Sequence, residues 1–414
     1  MKINQLLLTH VGVFAVGVSI ALVAKRGSND SQGNSDSAIT GRNRSSLESS
    51  RAADSSVKER ERREAALRTG SSKQAAFQKI ANISKMSDPM ERQAALMELI
   101  NRLGPEEFAA VAEEYKKLEH YNESEDEFNM ILRGWAKADP LGALDYAGQQ
   151  ENAARETSVV LAAWAGKDAA AAERWALEHH QGDGPNPYMA SVIQGIASYD
   201  LARATQLAEA MPRSRERGDA VNAITRALMV QGEEAAMAYP SSIKDLALQA
   251  GFVDAIARRI ASKDADKAAS WLTTFSDAEV QKRAAKTVGE ALAQENTSTA
   301  MTWLTQLEPE ARAEAASGII PVMSAQDLPA TAKWVSSLSG TPNYDQIVGA
   351  FVPSFGDREP EQAAAWIQQI SDPQQQTRLY HRTLGGWARR DAAAVKNWIA
   401  NNTVPESVTR RFNR

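Results

Sequence analysis

The feature that most constrains this chain is a repeat. One large apolar residue per unit aligns as Tyr146, Trp175, Leu207, Tyr239, Trp271, Trp303, Trp334, Trp366 and Trp398, at intervals of 29, 32, 32, 32, 32, 31, 32 and 32 residues. Eleven residues before each stands a second apolar position: Trp135, Trp164, Ile196, Leu228, Ile260, Leu292, Met323, Phe355 and Trp387. These two registers take up all nine tryptophans of the 414-residue chain. Self-similarity at this period implies stacked units, each too small to bury its own apolar face.

The residues between the registers specify the unit. Seven positions before the first register stand Asp139, Asp168, Asp200, Gly232, Asp264, Asn296, Asp327, Glu359 and Asp391. Most are N-cap types, whose side-chain oxygen accepts from an orphan amide of the first helical turn. Pro140 and Pro360 follow directly, where a missing N–H costs nothing. Three positions before the register come Ala143, Ala172, Ala204, Ala236, Ala268, Ala300, Thr331, Ala363 and Val395. A small residue one turn from a large one lets two helices approach while the ring fills the space beside them. A second helix then carries apolar residues at helical steps, as in Val160 and Trp164 or Ile256 and Ile260. Lys167, Lys263, Arg358 and Arg390 precede their caps, where a cation favours the closing end of that helix.

The expected fold is therefore all-α, a right-handed α-solenoid of about nine to ten hairpins of ~32 residues over 105–402. Ala112 and Tyr115 mark a divergent first unit, and helices over 73–83 and 89–103 form an N-terminal cap within 71–104. Pro321 and Pro353 fall inside expected second helices, which they kink or at which those helices begin. The chain stops just after a first helix, so residues 403–414 form a C-terminal tail and the last face is a candidate docking surface.

Residues 1–26 contain an apolar run at 6–24, broken only by Thr9 and His10 and stopped by Lys25 and Arg26. At the helical rise it just crosses a hydrocarbon core of about 30 Å. It reads as a signal-anchor helix; the alternative is a secretory signal cleaved after Ser19 and Ala21. Residues 27–70 pass from a Ser/Asn-rich tether to a charged stalk, with too little apolar surface to offset ordering. Residues 1–60 carry a net +3, leaving −8 on the rest. That balance argues against nucleic acid as a partner. The absence of cysteine excludes disulfides, thiolate metal sites and a cysteine nucleophile.

The units resemble the tetratricopeptide and HEAT class of helical-hairpin solenoids, although their period is shorter and the tetratricopeptide Trp-Leu-Gly-Tyr pattern is missing. The motif Trp-Ala-x-x-Asp-Pro-x-x-Ala is similar to repeats of membrane-anchored bacterial proteins. Trp135, Asp139, Pro140 and Ala143 match it in full, and Trp164, Asp168 and Ala172, then Trp387 and Asp391, in part. The resemblance implies a bacterial envelope location and an interaction role; with the amino-terminal run, the expectation is a single-pass inner-membrane protein with its repeats on the periplasmic side, or a secreted one after signal cleavage, that binds a protein or peptide.

The five histidines offer no zinc spacing, and no nucleophile elbow, phosphate loop or dinucleotide fingerprint occurs. No enzymatic activity, metal or small-molecule cofactor is expected. His179 and His180 beside the loop at 182–187 read as a solvated helix end, with metal binding as the alternative. The Asp ladder reads as caps before it reads as a cation site, and the register tryptophans as core before they read as ligand platforms. The candidate binding residues are aromatic groups off the registers: Tyr188 in a Pro-flanked loop, Tyr344 after Gly340, and Tyr380 beside His381. The alternative function is a wall-remodelling or glycan-binding protein, in which a helical array holds a glycan strand and one glutamate supplies acid catalysis.

Overall fold

The computed structural model describes residues 70, 72–118, 125–356 and 358–412. The apolar segment at 6–24 and the linker up to residue 69 lie outside them. Among the described residues there is no strand, and no helix is long and apolar enough to cross a membrane.

Helices α1 (72–83), α2 (Pro89–Ile100) and α3 (Phe108–Lys116) precede the repeat, the last entered through the 3-10 turn Pro105–Glu107. Tyr115 and Ala112 of α3 are buried, as the divergent first unit requires. Alternating helices then follow: α4 (Glu125–Ala138), α5 (Pro140–Gly148), α6 (Ala153–Ala165), α7 (Ala169–Glu178), α8 (Met189–Ile196), α9 (Leu201–Ala210) and α10 (Arg215–Gln231). The middle units are α11 (Glu233–Ala238), α12 (Leu246–Ala261), α13 (Ala265–Leu272), α14 (Ala278–Glu295), α15 (Thr297–Leu304) and α16 (Pro309–Gln326). The last are α17 (Leu328–Ser337), α18 (Tyr344–Phe351), α19 (Pro360–Ile367), α20 (Pro373–Ala388), α21 (Ala392–Asn401) and α22 (Glu406–Phe412).

From α4 onward, each even-numbered helix packs on the next even-numbered one, and each odd-numbered helix from α5 to α21 rests on the two even helices flanking it. The hairpins thus stack in two layers. The caps form as the spacing requires. Asp139, Asp168, Asp200, Asp264, Asn296, Asp327 and Asp391 each accept an N–H three residues on, at 2.8–3.1 Å. Gly232 and Glu359 start their helices without a side-chain cap bond.

The two apolar registers differ in depth. Every member of the even-helix register, Trp135 to Trp387, is buried, and full burial of such a side chain contributes about 2–3 kcal/mol. In the odd register Leu207, Trp271 and Trp303 are buried, whereas Tyr146, Trp175, Tyr239, Trp334, Trp366 and Trp398 are half-buried against the core. The small register beneath them is sealed throughout, from Ala143 to Val395.

Glycine sets the closeness of the even layer. An added Cβ at Gly195 of α8 would stand 2.3 Å from the Ala162 carbonyl of α6. At Gly318 of α16 it would stand 2.1 Å from the Lys286 carbonyl of α14, and at Gly289 of α14 it would stand 2.9 Å from the Ala315 carbonyl. Helix backbones touch at these points, which only glycine permits. The odd layer is joined differently, by side chains. Arg203 on α9 pairs with Glu173 on α7 at 2.8 Å, Lys267 on α13 with Glu233 on α11 at 2.6 Å, and the Trp303 indole donates to the Ala269 carbonyl at 3.1 Å.

The two internal prolines behave differently. Pro321 lies within α16, which runs on to Gln326. Near Pro353, α18 closes at Phe351 and the chain tightens into a 3-10 turn, Val352–Phe355, where proline is accommodated at the start. The carboxy-terminal segment, expected as a tail over an open face, instead contains helix α22, which packs on α20 and α21 and wholly buries Val408. The face expected to be a docking surface is covered by α22, because Pro405 opens one more amphipathic turn there.

Candidate functional site

The four candidate ring residues do not converge. Tyr188 opens α8 and packs edge-on against Trp175 with centroids 5.2 Å apart, in a loop held by the Asn186 amide. Tyr344 opens α18 after Asn343, whose φ of 63° turns the chain. Its hydroxyl donates to Gln369 at 2.9 Å, and burial, with Asp345 beside it, raises its pKa. Asp345 accepts the amides of Ser371 and Asp372, so this corner clamps α18 to the loop before α20. Tyr380 is fully buried on α20; burial pushes its hydroxyl up to about 12, and the oxygen has no hydrogen-bond partner. His381 lies under Phe412 of α22 at 6.5 Å, with Nε2 buried and unpaired.

The histidine pair also serves the local fold. His179 stacks on Trp175 at 4.2 Å, and His180 Nε2 meets the Gly184 carbonyl at 2.9 Å. Among the described residues no group of three or more His, Asp or Glu could hold a metal ion. Three buried carboxylates, Glu107, Glu127 and Glu156, stand in the first units. Glu127 accepts from Arg92 at 2.5 Å and Tyr115 at 2.6 Å. Glu156 is 1% exposed and 3.7 Å from Lys116, and its pKa is raised because loss of hydration outweighs that ammonium.

Sequence reasoning missed a third, polar register. In four units, nine or ten residues after the odd-register residue and at the start of the even helix, a side chain reaches back to carbonyls at the end of the odd helix. Gln249 donates to Pro240 at 2.9 Å and Gln281 to Phe275 at 2.6 Å. Arg312 donates to Leu307 at 2.8 Å and Thr305 at 3.2 Å, and Gln376 to Ile367 and Ile370 at 3.3 and 3.2 Å. Gln281 also accepts the Glu308 amide of the next unit at 2.8 Å. A search for any long polar side chain at that offset, rather than for one residue type, would have found it.

Open grooves lie on both layers. Between α13 and α15 a groove of about 460 Å³ is walled by Ser270, Thr273, Ser298, Thr299 and Thr302 and floored by Leu292 and the Trp303 edge. Between α19 and α21 one of about 530 Å³ has Trp387 at its base and Arg358, Glu359, Arg390 and Asp391 around it. On the even layer, α4, α6 and α8 enclose about 770 Å³ with Arg133, Lys137 and Lys167 and no acidic residue on the wall. The odd-layer grooves combine hydroxyl and carboxylate groups with the apolar residues Leu292, Trp303 and Trp387.

No family model and no curated protein matches this chain.

Proposed function

We propose that the chain is a non-enzymatic repeat scaffold, a right-handed α-solenoid of nine to ten hairpins, that binds a protein or extended peptide in the grooves between odd-numbered helices. Its amino-terminal apolar segment tethers it to a bacterial inner membrane, with the repeats in the periplasm. The observation that carries the reading is the hydroxyl-walled groove between α13 and α15, where Ser270, Thr273, Ser298 and Thr302 present acceptors above Leu292 and Trp303. Such a wall suits main-chain amides, and the apolar floor suits alternate side chains of an extended peptide.

A photo-crosslinking residue placed at Ser270 or Thr302 in cells tests this. A discrete adduct formed from both positions, and absent from a control at Arg215 on α10, is the expected outcome. Adducts of equal pattern from all three, or release of wall fragments by the purified chain, would sink the proposal, the latter in favour of a glycan-acting protein. A reporter fused after Arg414 tests the compartment; activity on the cytoplasmic side would overturn the periplasmic assignment.

A further inference from the structure

Arg217 stands at the offset of the polar register without stapling its hairpin. Arg217, ten residues after Leu207, occupies the position held by glutamine at 249, 281 and 376, yet its guanidinium donates to no loop carbonyl. It is 8% exposed. Its one charged partner is Asp245, whose Oδ1 pairs with Nη2 at 3.2 Å and also accepts the Leu248 amide at 2.6 Å; Nε is buried without a hydrogen bond. A guanidinium carries five N–H donors, and a single carboxylate oxygen satisfies few of them, so further acceptors would lower the cost of burying Arg217.

Beside it a pocket of about 210 Å³ opens between α10 and α12, with Arg283 of α14 reaching in. Its charged lining residues are Arg213, Arg217, Arg258, Arg283 and Asp254. Asp254 is engaged by Arg258 at 2.6 Å. Counting Asp245 as well, four guanidinium groups face two carboxylates, an excess of two positive charges on a body that is net negative. The pocket also sits over the first turn of the 17-residue helix α10, where the helix dipole favours an anion.

The floor is open because Gly218 and Gly251 lack side chains. A Cβ at Gly218 would meet nothing within 4 Å, and one at Gly251 only Val221 at 3.7 Å. Unlike Gly195 and Gly318, neither glycine is required by helix contact; their effect is to leave room above Arg217.

We propose that this pocket is an oxyanion site that takes a phosphate-type dianion, free or as the phosphomonoester of a small molecule. Guanidinium forks suit phosphate oxygens, and the two excess charges match a dianion. This stands apart from peptide binding in the odd-layer grooves. The test is calorimetric titration of the full-length chain with inorganic phosphate, with acetate as the monoanion comparison. Arg217→Gln introduces the residue of the two units that follow, Gln249 and Gln281, and should fold, while Gly218→Leu fills the pocket and leaves every arginine in place. Saturable one-to-one phosphate binding, weakened at least tenfold in both variants while their circular dichroism matches the parent, is the expected result. Absence of saturable binding, equal affinity in either variant, or acetate binding as tightly as phosphate would overturn it.

Discussion

The contact between α14 and α16 makes a demanding prediction, because one substitution has opposite signs at two glycines. Gly318→Ala places a methyl 2.1 Å from the Lys286 carbonyl oxygen and 3.0 Å from the Glu290 amide nitrogen. Both are backbone atoms of an 18-residue helix, so no side chain can swing away, and reaching an ordinary contact of 3.4 Å or more means separating the helices by about 1 Å. Overpacking of this kind costs roughly 1–3 kcal/mol, and its rigid backbone partner puts this case at or above the upper end. Alanine returns about 1 kcal/mol through its helix propensity. The net expectation is a loss of about 2 kcal/mol, or roughly 3 °C in Tm if the array melts as one cooperative unit. Gly385→Ala, in α20 with nothing within 4 Å of its new methyl, should instead gain up to about 1 kcal/mol. Calorimetry on both variants, with hydrogen exchange across α14 and α16, distinguishes the cases. If Gly318→Ala is as stable as the parent, or gains like Gly385→Ala, the argument that glycine sets the even-layer spacing is wrong.

Three further outcomes are expected. Gln281→Leu leaves the Phe275 carbonyl and the Glu308 amide without partners and should cost about 2–4 kcal/mol in urea unfolding; a loss under 0.5 kcal/mol would refute the stapling role. Asp264→Ala removes the cap on the Lys267 amide and should cost about 1 kcal/mol, with faster exchange confined to the start of α13. Glu156 has a folded-state pKa above its unfolded one, so the native state holds the extra proton and stability falls as pH rises from the unfolded value through the folded one. Glu156→Gln should therefore raise Tm at pH 7, with the gain shrinking towards pH 4; a gain that is constant with pH would contradict the burial argument.

The hairpin layout was legible because its signals are residue types at fixed spacing. Asp and Asn cap, Ala packs beneath the aromatic, and Trp fills, so Asp264, Ala268 and Trp271 announce a helix start and its buried stripe together. The polar staple was not legible, because its partners are main-chain carbonyls, which leave no mark on composition. Its members vary from Gln281 to Arg312, and the latter is offset by one residue. The helix contacts through Gly195, Gly289 and Gly318 were hidden for a related reason, since a close approach is a property of two helices rather than of either segment. Tyr380 looked like a surface ring because His381 and Arg382 adjoin it; α20 turns it inward by about 100° per residue and buries it, while Arg382 stays exposed. The covered last face followed from α22, a seven-residue helix too short and too charged to register as periodic.

The two layers differ in what it takes to part them. Separating α6 from α8 or α14 from α16 breaks interlocked backbone contacts at glycine, whereas separating α7 from α9 breaks the Arg203 to Glu173 bridge, a partly hydrated pair that contributes about 0–1 kcal/mol. A load along the array would therefore open it from the odd side, with the even layer acting as a hinge line. Each groove could widen by giving up one or two weak links while its neighbours stay shut. Compliance of that kind would let one array accept occupants of different girth unit by unit.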